Sequence, residues 1–223
     1  MVKDNIARIR EKIALACSRV NRDSSGIRII AVSKGRSIKD IKEAVSSGLT
    51  DIGENRVQEA LDKYSELKKA GSSLSIKWHM IGHLQTNKVK DAVAIFDLIH
   101  SVDSLALAQE IDRRAARINK VQDILIEVKT SPEATKFGLD SGIVSEIIPV
   151  VAQFKNINVK GFMTIAPLLN QPEKAKRYFK MLRQMRDSIN PSYYLSMGMT
   201  YDFEAAIEEG ADILRIGRGI FEN

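Results

Sequence analysis

Eight times in 223 residues a short run of Ile, Val, Leu or Met is followed by a segment with helical spacing. The runs lie at 27–33, 51–54, 76–81, 97–102, 123–129, 159–165, 193–197 and 212–217. Short runs apolar on both faces read as strands of a parallel sheet. Between them, apolar residues recur at the helical period. Ile38, Ile41 and Val45 share one face, and Val57, Leu61, Tyr64 and Leu67 another. Further faces are Leu105, Ala108, Ile111, Ala115 and Ile118, then Ile143, Ile147, Val151 and Phe154. After Pro172 comes a long helix with Phe179, Leu182, Met185 and Ile189 inward. Gly48, Gly71 and Gly210 stand where helices should stop. Each helical crossover makes the next strand parallel to the last, so the pattern predicts an α/β protein built as one (β/α)8 barrel. An open doubly wound sheet is the alternative. No linker divides the chain, so residues 1–223 are read as one domain. Only Ile220-Phe-Glu-Asn223 follows the eighth strand, so its helix is expected to be missing. The N-terminal helix, with Ile6, Ile9, Ile13, Ala16 and Val20 on one face, is expected to cover that gap.

In such a barrel the functional groups gather at the carboxyl ends of the strands. In order, those ends read Lys34, Glu54-Asn55-Arg56, His79 to His83, Ser101-Val-Asp103, Lys129-Thr130, Thr164-Ile-Ala-Pro167, Ser196-Met-Gly198 and Arg215-Ile-Gly217. Lys34 closes an apolar, β-branched strand. There it is expected to be partly desolvated, which lowers a lysine's pKa and leaves more free amine to attack a carbonyl. The loops after the seventh and eighth strands, Ser196-Met-Gly-Met-Thr200 and Gly217-Arg-Gly219, offer hydroxyls and open backbone amides. A helix over 201–209 should aim its N-terminus at the same spot, which suits a phosphate. An amine facing a phosphate cradle suggests an aldehyde that carries a phosphate. Pyridoxal 5′-phosphate is one candidate, and the substrate of a Schiff-base sugar-phosphate aldolase is the other.

Several other classes are disfavoured. No apolar run reaches membrane-spanning length, and no signal-peptide core follows the charged N-terminus. Cys17 is alone, which excludes an intrachain disulfide and fits a cytoplasmic location. The net charge of +6 is spread among acids, as in Arg8-Ile-Arg-Glu-Lys12 and Lys39-Asp-Ile-Lys-Glu43. That is a solvated helix face rather than a nucleic-acid surface. His79 and His83 flank Gly82 at a strand end, and neither HExxH nor a cysteine pair is present. Hydrogen-bonded structural histidines are therefore expected there, with no metal, and His100 is expected to be structural or part of the ligand shell.

The ordered segments Ala31-Val-Ser-Lys34, Gly53-Glu-Asn-Arg-Val-Gln-Glu59 and Trp78-His-Met-Ile-Gly-His-Leu-Gln-Thr-Asn-Lys88 are specific. So are His100-Ser-Val-Asp103, Lys136-Phe-Gly138, Gly161-Phe-Met-Thr164, Ser196-Met-Gly-Met199 and Arg215-Ile-Gly217. Together they resemble the pyridoxal phosphate homeostasis protein family over nearly the whole chain. The resemblance implies a barrel of the alanine racemase N-terminal domain type (fold type III among pyridoxal phosphate proteins) without a C-terminal β domain. It implies pyridoxal 5′-phosphate held as an aldimine on Lys34, with Arg215 toward the pyridine nitrogen. Ser196, Thr200 and the amides near Gly217 would hold the phosphate, and Asn55 and His79 would lie near the ring. Arg218 stands where the family usually has Thr or Ser, so it either pairs with the phosphate or turns outward. The implied role is to bind, buffer and deliver the cofactor, affecting vitamin B6 and amino-acid balance without established catalytic turnover. Racemases of this fold take a second acid/base from an added domain, which this chain is expected to lack. A racemase-like enzyme is the competing reading. A monomer is expected, with apo-enzymes that need the cofactor as acceptors and Lys136 as a transfer residue.

Overall fold

A computed structural model of the chain describes residues 1–69, 74–131 and 137–222. The strands are β1 (Arg28–Val32), β2 (Asp51–Glu54), β3 (Lys77–Met80), β4 (Leu98–Val102), β5 (Gln122–Lys129), β6 (Leu139–Asp140), β7 (Ile157–Met163), β8 (Tyr194–Ser196) and β9 (Ile213–Ile216). All pairings are parallel. β1 to β5 join in sequence, β5 continues to β7, and β7 to β9 join in sequence. β9 then pairs back with β1, in the register Ile30↔Arg215 and Ala31↔Ile216, which closes the ring. Closure rules out the open doubly wound sheet. The two-residue β6 adds only to β5 and lies outside the ring of eight, so the seventh and eighth barrel strands are β8 and β9.

The helices are α1 (Val2–Ser18), α2 (Ile38–Ser46), α3 (Val57–Lys69), α4 (Val89–Ile95), α5 (Leu105–Ala116), α6 (Val144–Val151), α7 (Lys176–Ile189), α8 (Phe203–Glu208) and α9 (Arg218–Phe221). Sequence dictates several ends directly. Ser37 caps α2 by accepting from Asp40 N–H, while the Asp40 carboxylate accepts from Ser37 N–H. Gly48 and Gly210 leave α2 and α8 at φ of 84° and 91°, a conformation that favours glycine. Gly71 lies outside the described residues.

The expected missing eighth helix needs a correction. Arg218–Phe221 forms one helical turn after β9. One turn is too short to cover a strand, and α1 does that work by packing against α8, α9 and α2. Ile6, Ile9, Ile13 and Ala16 are buried there. Asn5 Nδ2 donates to the Ile220 carbonyl at 3.0 Å and so joins the two ends of the described chain. Ile118 and Ile143, read as parts of helix faces, are exposed because they lie past the ends of α5 and α6.

The apolar residues divide into two bodies. The larger fills the space between the strands and the helix ring, around Phe96, Phe162 and Phe179. The smaller sits inside the barrel: Ile30, Leu98, Leu125, Met163 and Ile213, with Ile165 packed on it. Above this small plug the interior turns polar, with His79, His100, Ser196, Arg215 and Glu127 all buried. Among the described residues, no helix is long and apolar enough to cross a membrane.

Candidate functional site

A cleft of about 500 Å³ opens at the carboxyl ends of the strands. Volumes of that size suit small ligands and cofactors. It brings together Lys34, Asn55, Thr200, Arg215, Gly217 and Arg218, along with Arg36, Ile81, Ile165, Tyr201 and Asp202. Register explains the juxtaposition. β1 lies between β2 and β9, so the turn after β1 stands between Asn55 and Gly217. A methyl group at Gly217 would stand 3.4 Å from Val32.

Lys34 lies in the turn past the end of β1 and is solvent-exposed, so the expected desolvation is corrected. Among the described residues its ammonium has no hydrogen bond or ion pair. Its neighbours are held firmly. Buried Lys63 donates to the Ser33 carbonyl at 2.6 Å, to Glu54 Oε1 at 2.6 Å and to Glu59 Oε1 at 2.7 Å. The Ser33 hydroxyl also donates to Glu54, and Glu59 accepts from Gly35 N–H at 2.6 Å. Burial pushes the Glu54 carboxyl above its ordinary pKa, against the pull of Lys63 and Ser33. Burial acts the same way on Glu59, but there the bonds from Lys63 and Gly35 prevail and hold it low. This clamp fixes the residues on both sides of Lys34 while leaving the amine free. Asn55 is placed by its own neighbour across the loop. A Cβ at Gly82 would stand 2.4 Å from the Asn55 carbonyl, so the loop after β3 closes on it only with glycine.

The opposite wall is made of backbone. Gly198, at φ 93°, lets the loop after β8 fold onto α8, and Asp202 Oδ1 accepts from Met199 N–H at 2.6 Å. Thr200 Oγ1 accepts from Gly219 N–H at 3.2 Å, joining the two loops expected to hold phosphate. Arg218 is exposed on the rim, its guanidinium 4.6 Å from the Tyr201 ring centroid. Arg36 adds another cation, paired with Glu222.

The structure does not bring Ser196 and His79 into the cleft; both lie beneath it. Ser196 Oγ accepts from Arg215 Nη1 at 2.6 Å and stands 2.9 Å from His100 Nδ1. His79 joins His100 at 3.1 Å and Asp51 at 2.9 Å, below the mouth. His83, on the rim, bonds Asp103 at 3.1 Å and stacks on Phe137. Arg215 reaches the cleft floor with Nη2 donating to the Thr164 carbonyl at 2.8 Å. Full burial lowers its pKa to about 10, opposed by the charges of Asp202 and Glu127. Glu127 points into the same region from β5. Burial, then Asp103, raises it to about 7, with Arg215 pulling the other way. Lys136 lies outside the described residues.

Sequence reading missed the clamp and Arg36. Arg36 is signalled only by its distance of two residues from Lys34. Lys63 has a local partner in Glu59, four residues before it, but its burial depends on Ser33 and Glu54, which other elements supply.

The profile of the alanine racemase N-terminal domain family matches residues 5–222. The pyridoxal phosphate homeostasis protein of Aquifex aeolicus (strain VF5) is 44% identical over 98% of this chain and 96% of its own. This chain belongs to the pyridoxal phosphate homeostasis protein family. PipY of Synechococcus elongatus PCC7942, in a structure with pyridoxal phosphate bound, superposes at a TM-score of 0.84. It is 32% identical, over 99% of this chain and 100% of its own. An alanine racemase of Clostridium difficile 630 shares the fold at a TM-score of 0.72 and 14% identity. The match covers 98% of this chain but 56% of the racemase.

Proposed function

We propose that the cleft holds pyridoxal 5′-phosphate through a Schiff base to Lys34, and that the protein stores and hands on this cofactor in the cytoplasm, as a monomer, without sustained turnover. One observation carries the reading. A free amine on a rigid turn shares a cleft with a donor-only guanidinium on the floor and a glycine-rich wall bearing Thr200. These residues fit the cofactor's three functional parts: aldehyde, pyridine and phosphate. The names of the family members and the bound cofactor in PipY support the same conclusion.

When bound, the cofactor supplies an aldehyde that condenses with a primary amine and releases water. The chain does the rest. The clamp presents Lys34 Nζ at a fixed place. Thr200, the amides around Gly217 and the guanidinium of Arg218 would hold the phosphate, and Asn55 would flank the ring. Arg215 can only donate hydrogen bonds, so it favours an unprotonated ring nitrogen. An unprotonated ring accepts carbanion charge poorly, which weighs against the racemase-like alternative. Apo-enzymes that use the cofactor are the expected acceptors.

Titration of the unloaded protein with pyridoxal 5′-phosphate, followed by visible absorption, tests the reading. A new band that disappears on borohydride reduction is expected. Charge-assisted bonds contribute about 1.5–3 kcal/mol each, so pyridoxal without the phosphate should bind at least about tenfold more weakly. Equal affinity for the two aldehydes would place the phosphate elsewhere. A protein that stays colourless would favour an aldolase.

A further inference from the structure

Beneath the cleft, an unbroken series of hydrogen bonds runs through the barrel interior. Arg215 Nη1 meets Ser196 Oγ at 2.6 Å, and Ser196 Oγ meets His100 Nδ1 at 2.9 Å. His100 Nε2 meets His79 Nδ1 at 3.1 Å, and His79 Nε2 meets Asp51 Oδ1 at 2.9 Å. His79, His100, Ser196 and Arg215 are each at most 3% exposed. Asp51 opens β2, at the opposite end of the barrel from the mouth, with Arg28 at 3.9 Å.

With both imidazoles neutral, the carboxylate end settles the direction of every bond between the rings and the serine, and the guanidinium end agrees with it. A guanidinium only donates, so Ser196 Oγ must accept from it. The serine hydrogen is then available to a bare His100 Nδ1. Neutral His100 therefore carries its hydrogen on Nε2 and offers it to His79 Nδ1. His79 in turn carries its hydrogen on Nε2, where the Asp51 carboxylate can only accept. With both imidazoles neutral, one arrangement satisfies all five side chains.

We propose that Asp51, His79, His100 and Ser196 are positioning residues for Arg215, forming a one-way hydrogen-bond chain that fixes its orientation. The proposal rests on the reading of the cleft as a pyridoxal phosphate site, and it names what sets the environment of the ring. Two further facts support it. Arg215 makes no ion pair among the described residues, although it is buried. Burial also holds His100 neutral, its pKa driven well below the ordinary value by desolvation, with the positive charges of Arg215 and Arg28 acting the same way. Asp51 remains an anion. Burial pushes it up, but the hydrogen bond from His79 and the charges of Arg28 and Lys77 hold it below the ordinary carboxylate value. Polarised hydrogen-bond series of this kind strengthen one another in a low-dielectric interior.

Two measurements test the chain. The first needs neither a variant nor a cofactor. Nitrogen-15 NMR of the unloaded protein at about pH 8 should show hydrogen on Nε2 and a bare Nδ1 in both His79 and His100. Hydrogen on Nδ1 of either ring would overturn the proposal. The second uses protein loaded with pyridoxal 5′-phosphate. Asp51→Asn, far from the cleft, should shift the visible absorption maximum and weaken cofactor binding at least threefold. Asp123→Asn, which removes a charge near the same end of the barrel, should change neither. Ser196→Ala should reproduce the Asp51→Asn shift and serves as the second variant if Asp51→Asn fails to fold. Folded variants with wild-type spectra and affinity would overturn the proposal. If the wild type takes up no cofactor, the reading of the cleft fails, while the NMR result still judges the chain.

Discussion

The two walls of the cleft are built in opposite ways. On the β1–β2 side, charged side chains do the positioning: Lys63 and Glu59 hold the backbone on either side of Lys34, and Glu54 holds Lys63 and the Ser33 hydroxyl. On the β8–β9 side the backbone positions itself, through Gly198, the Thr200–Gly219 bond and the short turn of α9. A side-chain clamp suits a residue that must present one atom for a covalent bond. A backbone cradle suits an anion, whose oxygens take several N–H donors at once.

Removing Lys63 should produce the largest effect on this contrast. Lys63→Met leaves Glu54 buried without its counter-ion, and breaking a buried pair in this way costs about 3–5 kcal/mol. Urea unfolding should show the loss as a lower midpoint with little change in slope. The variant should also capture pyridoxal 5′-phosphate more slowly, yet keep its preference over pyridoxal. If it lost that preference instead, the two walls would not be separate devices.

Gly198→Ala strikes the other wall. The added Cβ would stand 2.6 Å from the Ala206 Cβ at a backbone φ of 93°. A left-handed alanine and an overpacked contact together cost about 2–4 kcal/mol. Here the preference for the phosphorylated aldehyde should fall, with covalent capture at Lys34 retained.

A comparison of the buried carboxylates Glu54 and Glu127 sharpens the point. Glu54 has Lys63, whereas Glu127 has no ion pair among the described residues. Its pKa of about 7, against an ordinary 4.5, means that the native state holds the proton more tightly than the unfolded chain. Stability should therefore fall as pH rises from 4.5 to about 7 and level off above. Glu127→Gln should remove this fall. It should be more stable than wild type by about 1–3 kcal/mol at pH 8, with the difference vanishing near pH 4.5. Chemical denaturation at several pH values reads this directly; equal pH profiles would mean that Glu127 is not buried as a charge.

The smallest effect belongs to the exit of the Lys34 turn. Ser37→Ala removes the cap of α2 and should cost about 1 kcal/mol. Lys34 should stay reactive, because the clamp holds the turn from the other side.

Much of this was legible in the sequence. Alternation of apolar runs located all eight barrel strands, because strands covered on both faces leave long apolar signatures. The motif at each strand end placed Lys34, Asn55, Thr200, Arg215, Gly217 and Arg218, which share the cleft. Periodicity failed where burial is not apolar. On α3 the stripe was read through Leu61 and Tyr64, yet the fully buried line is Val57, Ala60, Lys63 and Leu67. A paired lysine inside is invisible to any hydrophobic pattern. Ser196 and His79 sit beneath the mouth for a related reason. Position along a strand is readable, but whether an inward group reaches the mouth or is consumed by a neighbour depends on residues from other strands.

Borohydride reduction of the cofactor-loaded protein, followed by peptide mass mapping, tests the central claim most directly. The pyridoxyl group should be found on the peptide containing Lys34. A main adduct on Lys63, Lys129 or any other lysine, or no adduct on a protein that has taken up the cofactor, would contradict the account.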